Sequence, residues 1–324
     1  MGILLFSFNA IAPMLFTVAL GWFISRRGHI KEQDITFLNR LTFRYLLAFH
    51  IFNSTLSIDY YAEFNPRLIL LCSVSIFLTM IVFWLFFAAT IKDRARRCIF
   101  IVSSFRSNNI IYALPLATNL FGQAGLKAAA MLVPVTIILF NFFTVIVMVY
   151  HSQPEKGSGD SGDWGMKTAL KRTLIDILKN PLIIGSVLGI ICSLLHIKLP
   201  AFLRSGINSV ASTGTPISLV LLGAQVDFKK LSQDIKSALG ACLLRLVIVP
   251  GILIPIMVLA GFRGPDLGAL MVAFAAPCAV TNLVMARNYN IDPPFAAQTV
   301  YLSTVLSMVT MFVAISLLRY LGLF

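Results

Sequence analysis

The chain has 324 residues, of which 58% are hydrophobic and only 12% charged, with a mean hydropathy of +0.87. Soluble domains carry about 25% charged residues, so the composition excludes a soluble globular protein and indicates an integral membrane protein. The net charge of +13 falls at the ends of apolar runs and not along one stripe or tail, which fits topology signals and argues against a nucleic-acid partner.

With about 20 residues needed per span, the sequence offers ten transmembrane helices in chain order. They cover 3–25, 35–57, 67–91, 97–121, 124–150, 173–196, 202–226, 235–260, 266–289 and 294–320. No basic residue precedes the first run, which is longer than the apolar core of a secretion signal and is followed by Arg26 and Arg27, so it reads as a retained helix. Alternating loops hold fifteen Lys and Arg on one side and six on the other, which places both termini on the extracytoplasmic side. The five cysteines, Cys72, Cys98, Cys192, Cys242 and Cys278, are scattered without CxxC or Cys/His pairing and read as small apolar filler, with no zinc or disulfide framework.

One loop differs in kind. His151 to Thr173 contains the polar stretch SQPEKGSGDSGDWG, a flexible cytoplasmic linker (151–172) that divides the chain into residues 1–150 and 173–324 with five spans each. Five is odd, so the second group enters the membrane in the opposite sense, as expected of an inverted repeat.

Transporters built from inverted repeats bind their cargo between broken helices near the midplane. The fourth span of each half carries such a break in its sequence: SFRSNNIIYALP in one, AAPCAVTNLVMARNYN in the other, with midpoints at Asn109 and Pro277. Proline removes a backbone hydrogen bond, and in hydrocarbon the freed groups need partners. Ser107, Asn108 and Asn109 in one half, and Thr281 and Asn282 in the other, are short polar side chains able to serve unwound backbone or a ligand. The bland alternative is that prolines kink and small polar residues pack without function; two such helices at matching depth favour a site.

SNNIIYALPLATNLFGQAG and APCAVTNLVMARNYN, together with LNRLTFRYLLAFHIFNSTL in the second span and PISLVLLGAQVDF in the seventh, resemble the auxin efflux carrier family. That family includes plant auxin exporters and bacterial permeases for malate and malonate, and its members resemble the bile-acid sodium symporters in fold. The resemblance covers essentially the whole chain in order. It implies an all-α protein of two inverted five-helix repeats whose fourth and ninth helices are unwound and cross at mid-membrane. Asn109 and Pro115 would shape the first crossover, and Pro277 and Asn282 the second. Spans one, two, six and seven would form a scaffold that dimerises, and spans three to five and eight to ten a transport domain moving as an elevator. Arg106 with the doubled Asn108-Asn109 replaces the Gly/Asn/Thr-rich run often seen there, and Leu47-Ala48 stands where relatives often have Leu-Pro.

The physical case for an anion stands beside the resemblance. A helix broken at mid-membrane exposes amides carrying roughly half a positive charge, and such ends bind carboxylates. Arg106 either adds a bidentate fork for a carboxylate or snorkels and pairs with helix ends near the cytoplasmic boundary. Arg245 reads as structural, pairing with backbone carbonyls or Asp176; Arg40 and Arg44 read as interface anchors.

Every Asp and Glu falls in a loop or near a span end, so the spans offer no buried carboxylate for a proton relay or sodium site. His50 is the histidine well inside a span and the coupling candidate, although a lone histidine is more often packed. Asn141, Gln225 and Gln298 could coordinate a cation or bond between helices. No P-loop, zinc-ligand helix or dinucleotide fingerprint appears, no histidine has a nucleophile and acid in suitable places, and neither enzyme chemistry nor a cofactor is expected. The expected function is secondary transport of small carboxylates such as malate, malonate or auxin-like acids across the plasma (inner) membrane. The alternative is a sodium-coupled symporter of the bile-acid type.

Overall fold

The computed structural model describes residues 2–152, 166–225 and 234–324. In chain order its helices are α1 (Gly2–Arg26), then α2 (Glu32–Leu41) running through a π-helical turn (Thr42–Leu46) into α3 (Leu47–Leu56), followed by α4 (Pro66–Thr90), α5 (Arg94–Phe105) and α6 (Asn109–His151). The second half has α7 (Met166–Leu178), α8 (Pro181–Leu194) and α9 (Ala201–Ala224), then α10 (Ile235–Leu243) passing through another π-helical turn (Leu244–Ile248) into α11 (Val249–Leu259). It ends with α12 (Gly264–Ala275), α13 (Thr281–Asn288) and α14 (Pro293–Tyr320). Among the described residues the β pairing amounts to one antiparallel bridge, Ser107 to Cys278.

Among the described residues six helical runs have the length and apolarity to cross a bilayer: α1, α4, α6, α9, the run Ile235–Leu259, and α14. Leu170–Leu178 with α8 makes a seventh if the pair, bent by 52°, is one span. The chain is thus an all-helical integral membrane protein. The other apolar runs of the sequence are interrupted. The run 35–57 holds a π-helical turn and two arginines, while 97–121 and 266–289 each lose their helix partway. Residues 153–165 of the expected linker 151–172 lie outside the described residues, and 166–172 belong to α7.

Helix starts follow a repeated local rule. Asn65-Pro66, Asn180-Pro181 and Asp292-Pro293 each pair a capping side chain with a proline whose missing N–H costs nothing in the first turn. The Asn65, Asn180 and Asp292 side chains accept from the amides of Leu68, Leu182 and Phe295. Asn180-Pro181 accounts for the bend in the expected span 173–196, because a proline cannot donate back into α7. At Gly122 (φ +58°) α6 changes direction where the sequence placed a join between two spans.

Close packing relies on absent side chains. A Cβ on Gly223 would lie 1.9 Å from the Val18 carbonyl oxygen, and one on Gly21 would lie 1.9 Å from that of Val220, so α1 and α9 touch backbone to backbone. Gly185 and Gly189, a small-xxx-small pair on α8, press likewise on Ala48 and on Phe52 and Thr55 of α3. Gly223→Leu is expected to cost about 1–3 kcal/mol or more through overpacking, read as a clear fall in melting temperature of the detergent-purified protein. An unchanged melting temperature would refute the close approach.

Candidate functional site

The two interrupted helices meet. Helix α5 ends at Phe105, residues 106–108 are not α-helical, and α6 begins at Asn109. In the second half α12 ends at Ala275, and Ala276 is extended (ψ 150°) because the following Pro277 disfavours the helical region; α13 resumes at Thr281. The Asn108 amide donates to the Pro277 carbonyl at 2.8 Å, beside the Ser107–Cys278 bridge. The Cys278 amide donates to Ser303 Oγ at 3.1 Å.

Breaking a helix in hydrocarbon frees carbonyls that need donors. One buried side chain supplies three of them. Arg245, fully buried in the second π-helical turn, donates from Nε to Ala276 O at 2.9 Å, from Nη2 to Ala273 O at 3.0 Å and from Nη1 to Ser104 O at 3.0 Å. It ties the ends of α5 and α12 together, and its partners are backbone carbonyls, the first of the two options open in the sequence.

With the backbone so served, the polar side chains at the breaks keep capacity in hand. Ser107, Asn108, Asn109 and Asn282 are all buried. Ser107 Oγ, Asn108 Nδ2, Asn109 Oδ1 and both amide atoms of Asn282 have no hydrogen-bond partner among the described residues. Asn109 Nδ2 donates to Thr136 Oγ1 at 3.1 Å. Asn109 and Asn282 occupy the first turns of α6 and α13, the helices that leave the two breaks, where exposed amides are concentrated.

Arg106 completes the arrangement. It is 5% exposed and turns inward, donating from Nη2 to Asn141 Oδ1 and Thr281 Oγ1 and from Nη1 to Met285 Sδ, each at 2.9 Å. All three partners are neutral, and among the described residues no carboxylate lies within ion-pairing distance of it. A buried cation without a counter-ion is costly unless something anionic joins it.

Of the residues singled out in the sequence, Arg106, Ser107, Asn108, Asn109, Pro277, Thr281 and Asn282 lie at or beside the two breaks. Pro115 does not: it is six residues inside α6, within continuous helix. His50 stands apart, with Nε2 3.5 Å from Thr215 Oγ1 in a polar cavity of about 670 Å³ that Asn53, Arg204 and Asn208 also line. Gln225 bonds back to its own helix at Leu221 O. The described residues contain no group of three His, Cys, Asp or Glu able to hold a metal. Thr136, Met285 and Ser303 are new participants; nothing in their local sequence separates them from ordinary helix residues.

Comparison with known proteins identifies the family. The model of a family described as membrane transport protein matches residues 6–315. The uncharacterized transporter MJ1031 of Methanocaldococcus jannaschii is 23% identical over 93% of this chain and 95% of its own length. The uncharacterized transporter YfdV of Escherichia coli K12 is 22% identical over 89% and 90%. Auxin efflux carrier component 6 of Arabidopsis thaliana is 26% identical over 40% of this chain and 24% of its own length. A match across nearly the whole chain settles the affiliation: the protein belongs to the membrane transport protein family, that of the auxin efflux carriers.

Proposed function

We propose that the protein carries small organic anions, carboxylates such as malate, malonate or auxin-like acids, across the plasma (inner) membrane. The observation that carries this reading is the combination at the two breaks. Among the described residues, Arg106 is buried with no carboxylate paired to it and shares the site with buried polar side chains, five of whose atoms have no hydrogen-bond partner. A carboxylate fits both needs, since its oxygens accept from a guanidinium fork, from amide side chains and from helix N-terminal amides.

In this reading the chain has ten spans in two inverted repeats, 1–150 and 173–324, with both termini extracytoplasmic. The fourth and ninth spans cross where Asn108 meets Pro277. Spans three to five and eight to ten form the mobile body, and spans one, two, six and seven the scaffold of a homodimer. Alternating access is an elevator movement of the crossover past that scaffold. The tight α1–α9 and α3–α8 contacts, all within the proposed scaffold, support the division. His50, on the scaffold span α3, remains the proposed coupling residue.

The test is thermal unfolding of the detergent-purified protein with a panel of mono- and dicarboxylates, since a ligand of the folded state raises apparent stability. At least one carboxylate is expected to stabilise wild type and to lose that effect in Asn109→Ala and Asn282→Ala. Both variants are expected to fold and to abolish transport in proteoliposomes. Normal transport by both would remove the site assignment.

A further inference from the structure

One sizeable cavity lies away from the breaks. Its volume is about 910 Å³, and it is a trough between the α2–α3 helix and α8. One end is cationic: Arg40 in α2, Arg44 in the π-helical turn and Lys179 immediately before α8 all line it. The remainder is aromatic and aliphatic, with Phe49 of α3 41% exposed and Leu188 of α8 50% exposed on its walls. Arg40, Arg44 and Lys179 are themselves exposed, and none has a carboxylate within ion-pairing distance among the described residues. Asp176, one turn before Lys179, makes no ion pair with it, and Asp34 accepts from the Lys31 amide. The N-terminus of α8 opens here too, adding its positive dipole end to the three cations.

We propose that this trough is a binding site for an anionic phospholipid, its phosphate seated among Arg40, Arg44 and Lys179 and an acyl chain laid along the Phe49 and Leu188 walls. Basic pockets between membrane helices bind acidic headgroups, and a site that is cationic at one end and greasy along its length matches a lipid with one anionic end. A second copy of this chain is the competing occupant, but a two-fold axis through the trough would bring six cations together with no acid to offset them. A soluble anion would leave the apolar walls unused. The site rests on the membrane setting alone and is independent of what the crossover carries. With the orientation proposed above, the bound lipid belongs to the cytoplasmic leaflet.

The test uses delipidated, detergent-purified full-length protein, with thermal unfolding and native mass spectrometry as readouts. Phosphatidylglycerol is expected to bind and to raise the melting temperature by about 5 °C or more, while phosphatidylcholine and glycerol 3-phosphate do neither. In the Arg40→Gln/Arg44→Gln/Lys179→Gln variant the affinity should fall about fivefold for each cation removed, roughly 100-fold in all. If that variant fails to fold, single Arg40→Gln and Lys179→Gln variants should each show the smaller loss. Equal stabilisation by phosphatidylcholine, equal binding by the neutralised variants, or binding of glycerol 3-phosphate as tight as that of the lipid would overturn the proposal. So would rapid disulfide cross-linking between copies carrying Phe49→Cys, which would assign the trough to a second subunit.

Discussion

Replacing Arg106 with glutamine is expected to remove carboxylate binding while leaving the protein folded. The guanidinium bridges the two halves of the site, reaching Asn141 beyond the first break and Thr281 and Met285 beyond the second. Removing a desolvated charge that faces an anion costs about 2–5 kcal/mol, a loss of roughly 30-fold to more than 1000-fold in affinity. Stability should change little or rise, because no carboxylate among the described residues offsets this buried charge. Arg106→Lys should recover part of the binding and none of the bidentate geometry. Isothermal titration with the carboxylate that stabilises wild type checks both variants. Retained affinity in Arg106→Gln would mean that the guanidinium serves only to join the helices.

The opposite outcome is expected at the second buried arginine. Arg245→Met preserves bulk and removes three donors, leaving the carbonyls of Ser104, Ala273 and Ala276 buried and unpaired. Each such group costs about 1–3 kcal/mol, so the sum is a large share of the stability of an ordinary domain. The variant should yield little monodisperse protein, and whatever is recovered should melt far below wild type. Arg245→Lys can replace one bond of the three and should rescue only partly. The two arginines therefore separate cleanly: one variant folds and fails to bind, the other fails to fold.

The parts of the protein legible in its sequence are those with local causes. Membrane residence follows from composition, helix starts from Asn-Pro and Asp-Pro pairs, and the second break from Pro277, which forces Ala276 out of helical geometry. The first break was harder to place, because Asn108 and Asn109 mark it while Pro115, the stronger local signal, sits harmlessly in α6. Its position at residues 106–108 is set by partners far away in sequence, Pro277 and Arg245, and no local pattern encodes them. The same holds for Arg106, whose alternatives of snorkelling or facing inward depend on whether Thr281 and Asn141 stand within reach. The π-helical turns within spans two and eight, Thr42–Leu46 and Leu244–Ile248, have no local marker in the sequence comparable to a proline.

The single backbone bond between Asn108 and Pro277 joins residues 169 positions apart, and the bond from Arg245 to Ser104 spans 141. A ribosome adding about 5–20 residues per second needs on the order of ten to thirty seconds to cover the longer interval. For that time Asn108 and Ser104 of the first half are without the partners they have in the complete fold. The first break therefore reaches its final geometry only once the second half has been made. Each half thus supplies bonds that complete the break in the other, and assembly of the site is coupled to assembly of the whole chain.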